Sequence, residues 1–95
     1  MSQHIIVAHI HAKAGRRDRV KTALAALLVP TRLEAGCQLY ALHEDRDDPH
    51  HFLFYERWAS RERWQAHMQS DHIAEYLKAV KGLIESSAVY EMIEQ

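Results

Sequence analysis

Two histidines, His67 and His72, are the strongest candidates for chemistry in this 95-residue chain. A neutral imidazole accepts a proton near neutral pH, since its unperturbed pKa is about 6.5. The two residues are five positions apart, so on one continuous helix, at about 100° per residue, they would point in different directions. Ser70 and Asp71 between them are typical of a helix N-terminus. We therefore predict two short helices that meet at an angle and direct both imidazoles towards one space.

Four further side chains are predicted to bind a substrate beside this pair, namely Trp64, Tyr76, Glu56 and Met68. Trp64, His67 and Met68 have the spacing of one helical face. Trp64 and Tyr76 can enclose a flat ring, and Tyr76 also has a hydroxyl to donate. Glu56 is a second ionisable group, which can orient an imidazole. The alternative is that these residues are ordinary core packing and that the histidines are hydrogen-bonded to backbone carbonyls.

The surrounding pattern predicts the elements that position these residues. Strands are predicted at His4–His11, Cys37–Asp45, His50–Trp58 and Ser87–Ile93, and helices from Arg16 to about Leu33 and in two pieces after Ser60. Pro30 should kink the first helix, Gly36 suits the left-handed position after it, and Gly82 should stop or kink the second. The order is that of an α+β, ferredoxin-like β-α-β-β-α-β domain with a split second helix, covering residues 1–95 as a single domain.

The first strand is apolar on both faces, with Ile6, Ala8 and Ile10 on one side and Ile5 and Val7 on the other. The third strand shows the same two-sided pattern. Helices in this fold cover only one face of the sheet, and an antiparallel sheet that is apolar on both faces needs a second cover. We therefore predict a homodimer formed face to face through the sheets, which makes a dimeric α/β barrel.

Composition excludes several classes of protein. The formal net charge is −1, and lysines and arginines are scattered, which argues against nucleic-acid binding. The longest apolar run, at 23–29, is too short to span a bilayer. Cys37 has no second cysteine to pair with. We expect a cytoplasmic protein without a membrane partner.

Other histidines suggest a metal site as an alternative. His9 and His11 alternate onto one face of the first strand, and His43 on the second strand could approach them. These positions belong to the face assigned to the dimer, and so short a motif is weak evidence. We therefore expect no metal site. His50 and His51 lie beside a turn and are predicted to be solvated.

Several short motifs follow one another through the centre of the chain. They are Gly36-Cys37, Tyr40, Asp47-Asp48-Pro49, Tyr55-Glu56-Arg57-Trp58 and His67-Met68-Gln69-Ser70-Asp71-His72. In this combination the chain resembles the antibiotic biosynthesis monooxygenase (ABM) domain family. With Val29-Pro30-Thr31 at the helix end, it is most similar to the small quinol monooxygenases of that family.

The resemblance implies a cofactor-independent monooxygenase that oxidises a quinol or a phenolic, polyketide-like aromatic substrate with dioxygen, with His67 or His72 as the base. Haem-degrading relatives use an asparagine, a tryptophan and an axial histidine at positions that align here with Ala8, His67 and Leu77. The chain contains no asparagine, which argues against haem binding. A non-oxidative, isomerase-like or small-molecule-binding member of the same fold stays open as the alternative.

Overall fold

The computed structural model, which describes residues 3–95, contains a four-stranded antiparallel sheet. Its strands lie in the order β2-β3-β1-β4. The elements are β1 (His4–Ala12), α1 (Arg17–Ala25), α2 (Leu28–Arg32), β2 (Cys37–Glu44), β3 (His51–Trp58), α3 (Arg61–Met68), α4 (Asp71–Ala79) and β4 (Ile84–Met92). The predicted ferredoxin-like β-α-β-β-α-β order, with a split second helix, is confirmed.

The core lies between one face of this sheet and the helices. Side chains of β1 alternate, so that Ile6, Ala8 and Ile10 are buried while Val7 and His9 are only half-buried on the opposite face. Other buried side chains of this core include Phe52, Phe54 and Trp58 of β3, Tyr40 of β2, and Val20 and Leu24 of α1. This packing gives the sheet an inner face, towards the helices, and an outer face, away from them.

Two predicted boundaries are wrong. The first helix is not continuous to Leu33, because it breaks at Ala26–Leu27 before α2 begins. Pro30 accounts for the position, since it has no N–H to bond the carbonyl of Ala26 four residues earlier. Strand β4 begins at Ile84 instead of Ser87, because β1 extends to Ala12 and pairs with it there.

The break in the second helix is confirmed. The hydroxyl of Ser60 accepts from the backbone N–H of Arg63 and begins α3, and Ser70 accepts from Ile73 and begins α4. Ser70 also donates to the carbonyl of His67 at 2.7 Å, which ties the end of α3 to the start of α4. None of the helices in residues 3–95 is long and apolar enough to cross a membrane.

Candidate active site

The carboxylate of Glu34 joins the two predicted histidines. Its Oε2 accepts from Nδ1 of His67 at 2.6 Å and from Nε2 of His72 at 2.7 Å. The imidazole centroids are 5.9 Å apart. The predicted convergence of the two rings is therefore present, and the partner of both is a carboxylate instead of a backbone carbonyl.

Local backbone geometry explains why Glu34 reaches both rings. It lies in the turn between α2 and β2, where Gly36 adopts a positive φ of 85°. A Cβ on Gly36 would stand 2.5 Å from Cγ of Arg63 on α3, so only glycine allows the turn to lie this close to that helix. The carbonyl of Gly36 also accepts from the N–H of Ala59 at 2.8 Å. The turn that carries Glu34 is thus fixed against the helix that carries His67.

His67 is the buried member of this group, with 1% of its surface exposed. Its ring lies 4.8 Å from that of Trp58 and 5.4 Å from that of Tyr40, centroid to centroid. Burial lowers the pKa of His67, and the adjacent Glu34 carboxylate opposes that shift. Because Nδ1–H is donated to Glu34, Nε2 of the neutral ring carries the lone pair. His67 is therefore set up as a proton acceptor whose tautomer is fixed.

A cavity of about 440 Å³ opens between the inner face of the sheet and the helices. His67 and Glu56 contribute to its wall, but His72 and Glu34 do not. Most of the remaining lining is apolar or aromatic, including Ile6, Phe54, Leu24, Leu27 and Ile73. Of the two candidate bases, His67 is the one that borders space for a ligand.

The other predicted substrate-binding residues also line this cavity, at different depths. Trp64 and Tyr76 are half-buried in its wall, and burial raises the pKa of Tyr76 to about 12, so its hydroxyl remains a donor. Met68 is 44% exposed and lies at the rim. Leu77 is 60% exposed and lies at the rim as well. The structure thus brings five of the six predicted site residues to one cavity, with His72 behind it.

Glu56 does not orient an imidazole, contrary to the expectation from sequence. It is 4% exposed, and its Oε1 accepts from the indole Nε1–H of Trp58 at 2.9 Å. Burial raises the pKa of Glu56 to about 7, an effect that the Trp58 bond opposes and the Glu34 charge increases. The orienting carboxylate is Glu34, because the turn after α2 lies against α3 and α4 whereas Glu56 lies on the strand.

The sequence profile of the antibiotic biosynthesis monooxygenase (ABM) family matches residues 3–84. The chain belongs to this family. A relative from Mycobacterium tuberculosis, Rv0793, is 33% identical to this chain over 83% of this chain and 77% of its own length. The crystal structure of PA3566 from Pseudomonas aeruginosa superposes with a TM-score of 0.96 at 27% identity, over 100% of this chain and 96% of that one.

A relative from Synechocystis, sll1783, is 25% identical over 95% of this chain. This chain spans only 63% of the length of sll1783. The family membership therefore concerns the ABM domain, and it supports the predicted fold of that domain.

A second cluster of histidines lies on the outer face of the same ABM domain. His51 donates from Nδ1 to Asp45 at 2.8 Å, and its Nε2 accepts from Nδ1 of His9 at 2.8 Å. The ring of His11 stacks on that of His51 at 4.3 Å between centroids. His51 is thus not solvated as predicted, since its pairing with His11 across the strands places the ring between two neighbours.

Neither histidine cluster matches the metal site considered from the sequence. His43 is exposed, so it is not the third histidine beside His9 and His11. That position is occupied by His51, and both ring nitrogens of His51 are already hydrogen-bonded. Among residues 3–95, three or more ligand atoms of a metal-site type lie within 4.8 Å of one another only in Glu34, His67 and His72. In that group the hydrogen bonds to Glu34 satisfy one N–H of each imidazole. The absence of a metal stays a prediction.

Glu34 is the site residue that sequence reasoning missed. The sequence places it at the end of the predicted first helix, where a single carboxylate carries no periodic signal. The one available indication was Gly36, whose left-handed conformation predicts a sharp turn two residues later. Nothing in the sequence indicates that this turn approaches α3.

Proposed function

We propose that the protein is a cofactor-independent monooxygenase of the ABM family that oxidises a quinol or a phenolic, polyketide-like aromatic compound with dioxygen. The observation that carries the proposal is the hydrogen bond from Nδ1 of His67 to Glu34, which leaves the other nitrogen as the base in a largely apolar cavity. Family membership supports the class of reaction, and the cavity chemistry supports the class of substrate.

The first step needs a base, because a phenol gives electrons to dioxygen far more readily as its anion. Nε2 of His67 accepts the phenolic proton, and the Glu34 carboxylate stabilises the imidazolium that forms. The lowered pKa of His67 keeps the ring neutral at physiological pH. His72 shares the same carboxylate oxygen from outside the cavity, so we assign it a positioning role on Glu34.

Binding is assigned to the cavity wall. Trp64 and Tyr76 provide aromatic surface for a flat ring, and the Tyr76 hydroxyl makes no hydrogen bond to another residue of the 3–95 segment. Met68 at the rim provides a flexible apolar contact. A volume of about 440 Å³ is within the range of small-molecule pockets.

Oxygen uptake tests the proposal directly. The purified protein is mixed with a panel of hydroquinones and with an anthrone in an oxygen electrode, and each rate is corrected with a no-enzyme blank. We expect at least one substrate to give uptake above the blank that depends on His67, with His67→Ala compared against the exposed control Gln65→Ala on the same helix. If none does so, the monooxygenase proposal is wrong.

The alternative is a non-oxidative, isomerase-like or small-molecule-binding protein that uses the same cavity. It is favoured by the pairing of a base, His67, with a second proton-carrying group, Glu56, because such a pair can move a proton between two carbons without dioxygen. Ligand binding seen by calorimetry in the absence of any oxygen uptake would support it.

We also propose that the protein is a homodimer through the outer face of the sheet. Leu39, Tyr90 and Met92 are between 40% and 48% exposed on that face, beside half-buried Val7 and Leu53. An apolar face of this kind on a small domain is typical of an interface with a second copy. A partner sheet there would complete the dimeric α/β barrel.

A further inference from the structure

Glu56 is a buried carboxyl group that the first step of the proposed reaction does not use. It projects from the centre of β3 into the wall of the cavity, where Tyr40 lies opposite it on β2. Its single hydrogen bond to the rest of residues 3–95 comes from a neutral donor, the indole of Trp58. No cationic side chain in that part of the chain bonds to it. An ionised carboxylate is poorly satisfied in such surroundings, which favour the protonated acid.

The position of Glu56 relative to His67 follows from their shared neighbour. Trp58 donates its N–H to Glu56, and its ring lies 4.8 Å from the imidazole of His67. Both groups border the same cavity. A ligand in contact with one is therefore close to the other, and the cavity presents a base and an acid on one side.

We propose that Glu56 is the general acid of the oxidation, which donates the proton that allows the O–O bond of a substrate hydroperoxide to break. This inference rests on the proposed monooxygenase function. It adds a second catalytic residue and divides the reaction into a stage that needs His67 and a stage that also needs Glu56.

The proposed reaction takes a substrate with a hydrogen on the reacting carbon. His67 removes the phenolic proton, the carbanionic carbon gives an electron pair to dioxygen, and a C–O bond forms to a peroxide anion. The proton on His67 passes to that anion and yields the hydroperoxide. His67 then removes the hydrogen on the same carbon, the O–O bond breaks, and the departing oxygen takes the proton of Glu56 and leaves as water.

The carbon becomes a carbonyl in this last step. Overall, the substrate loses two hydrogens and gains one oxygen atom, and the second oxygen atom of dioxygen is reduced to water. The imidazolium of His67 returns its proton to the Glu56 carboxylate, which restores both groups. Dioxygen is the only oxidant and the substrate is the only reductant.

The raised pKa of Glu56, about 7, supports this role, because a group with that pKa is about half protonated at neutral pH and largely protonated one pH unit below it. The titratable groups around it are Tyr40 and Cys37 on β2, His67 on α3, Tyr76 on α4 and, behind His67, Glu34. Burial, together with the charges of Glu34 and Glu56, raises the pKa of the Cys37 thiol. Burial raises the pKa values of both tyrosines, so they remain neutral over the relevant range.

Glu56→Gln tests the inference, because glutamine keeps the size and can still accept from Trp58 but cannot deliver a carboxylic proton. The wild type, this variant and the exposed control Glu62→Gln are given an anthrone or a hydroquinone that the wild type oxidises. Oxygen consumed, oxygenated product and total peroxide are measured against no-enzyme blanks. At about pH 6, where Glu56 is largely protonated, we expect the wild type and the control to form about one product per dioxygen, whereas Glu56→Gln should release peroxide for more than half of the dioxygen consumed.

A Glu56→Gln protein that is folded by circular dichroism and forms product without peroxide overturns the inference. A second measurement needs no variant: in the wild type, the fraction of dioxygen released as peroxide should rise as the pH passes through about 7, because Glu56 then loses its proton. If the fraction of dioxygen released as peroxide does not change between about pH 6 and pH 8.5 and stays as low as in the no-enzyme blank, the inference is also overturned. No uptake with any substrate removes the proposed function itself, and the inference with it.

Discussion

Each face of the sheet has a carboxylate that is hydrogen-bonded to histidine. The two clusters differ in how deeply their imidazoles are buried and in where those imidazoles lie relative to the cavity. On the helix side, Glu34 holds His67 at the wall of a cavity, and that ring is almost fully buried. On the outer face, Asp45 holds His51, which in turn accepts from His9, and the rings are only half-buried. A carboxylate–imidazole bond is thus common to both, whereas among residues 3–95 the imidazole bonded directly to its carboxylate lines the cavity only in the helix-side cluster, as His67 does and His51 does not.

The difference shows what selects a catalytic histidine. Burial lowers the pKa of His67, and the cavity supplies a place where its free nitrogen meets a ligand. In the outer cluster, His51 has no free nitrogen, and His11 stacks on its ring. We therefore expect chemistry from the helix-side cluster and a structural role from the outer one.

The largest expected effect is on the turnover of His67→Ala. Loss of the base should lower the blank-corrected kcat by roughly 10²- to 10⁴-fold, the usual contribution of positioned proton transfer. His51→Ala, the matched change in the outer cluster, should leave kcat within about twofold, because the His51 side chain does not line the cavity. Oxygen-electrode kinetics on both variants decide the comparison. Equal losses would mean that the two clusters do not differ in function.

A smaller effect is expected when the carboxylates are replaced. Glu34→Gln keeps the shape but removes the charge that fixes the tautomer of His67 and stabilises its imidazolium. In a fully buried triad this change costs up to about 10⁴-fold in kcat, and because the Glu34 side chain is 17% exposed we expect a loss on the order of 10- to 10²-fold. Asp45→Asn should leave kcat unchanged within error. A Glu34→Gln enzyme with wild-type kcat would show that His67 works without its carboxylate.

The sequence predicted the parts of this comparison that depend on local pattern. Ser60 and Ser70 begin helices because their hydroxyls accept from N–H groups nearby in the chain, so the helix break between His67 and His72 could be predicted. Glu34 could not, because its bond to His72 joins residues 38 positions apart. The same holds for Asp45 with His51, which depends on the geometry of the hairpin turn. Pairings of this kind follow from tertiary packing and leave no periodic signal.

The apolar residues on the outer face of the sheet lead to a prediction about assembly. If the outer face pairs with a second copy, Leu53→Glu or Val7→Glu buries a charge in the interface and should shift the protein from dimer to monomer at micromolar concentration. Light scattering should then report the 11.1 kDa mass of one chain instead of twice that value. Ala74→Glu, on the exposed side of α4, is the control and should remain dimeric. A wild-type protein that is monomeric in the same measurement contradicts the proposed interface.

The smallest expected effect is a shift in the pH profile, and it separates the clusters without abolishing activity. Only the neutral form of His67 accepts a proton, so blank-corrected oxygen uptake should rise with pH through the folded-state pKa of His67 and level off above it. Burial lowers that pKa, so the rising limb should lie below 6.5. The Glu34 carboxylate raises the pKa against this effect, so Glu34→Gln should move the limb to still lower pH. Asp45→Asn removes a charge of the same sign from the outer face and should leave the limb in place. A limb that moves equally in both variants would mean that it reports a general electrostatic change and not the titration of His67.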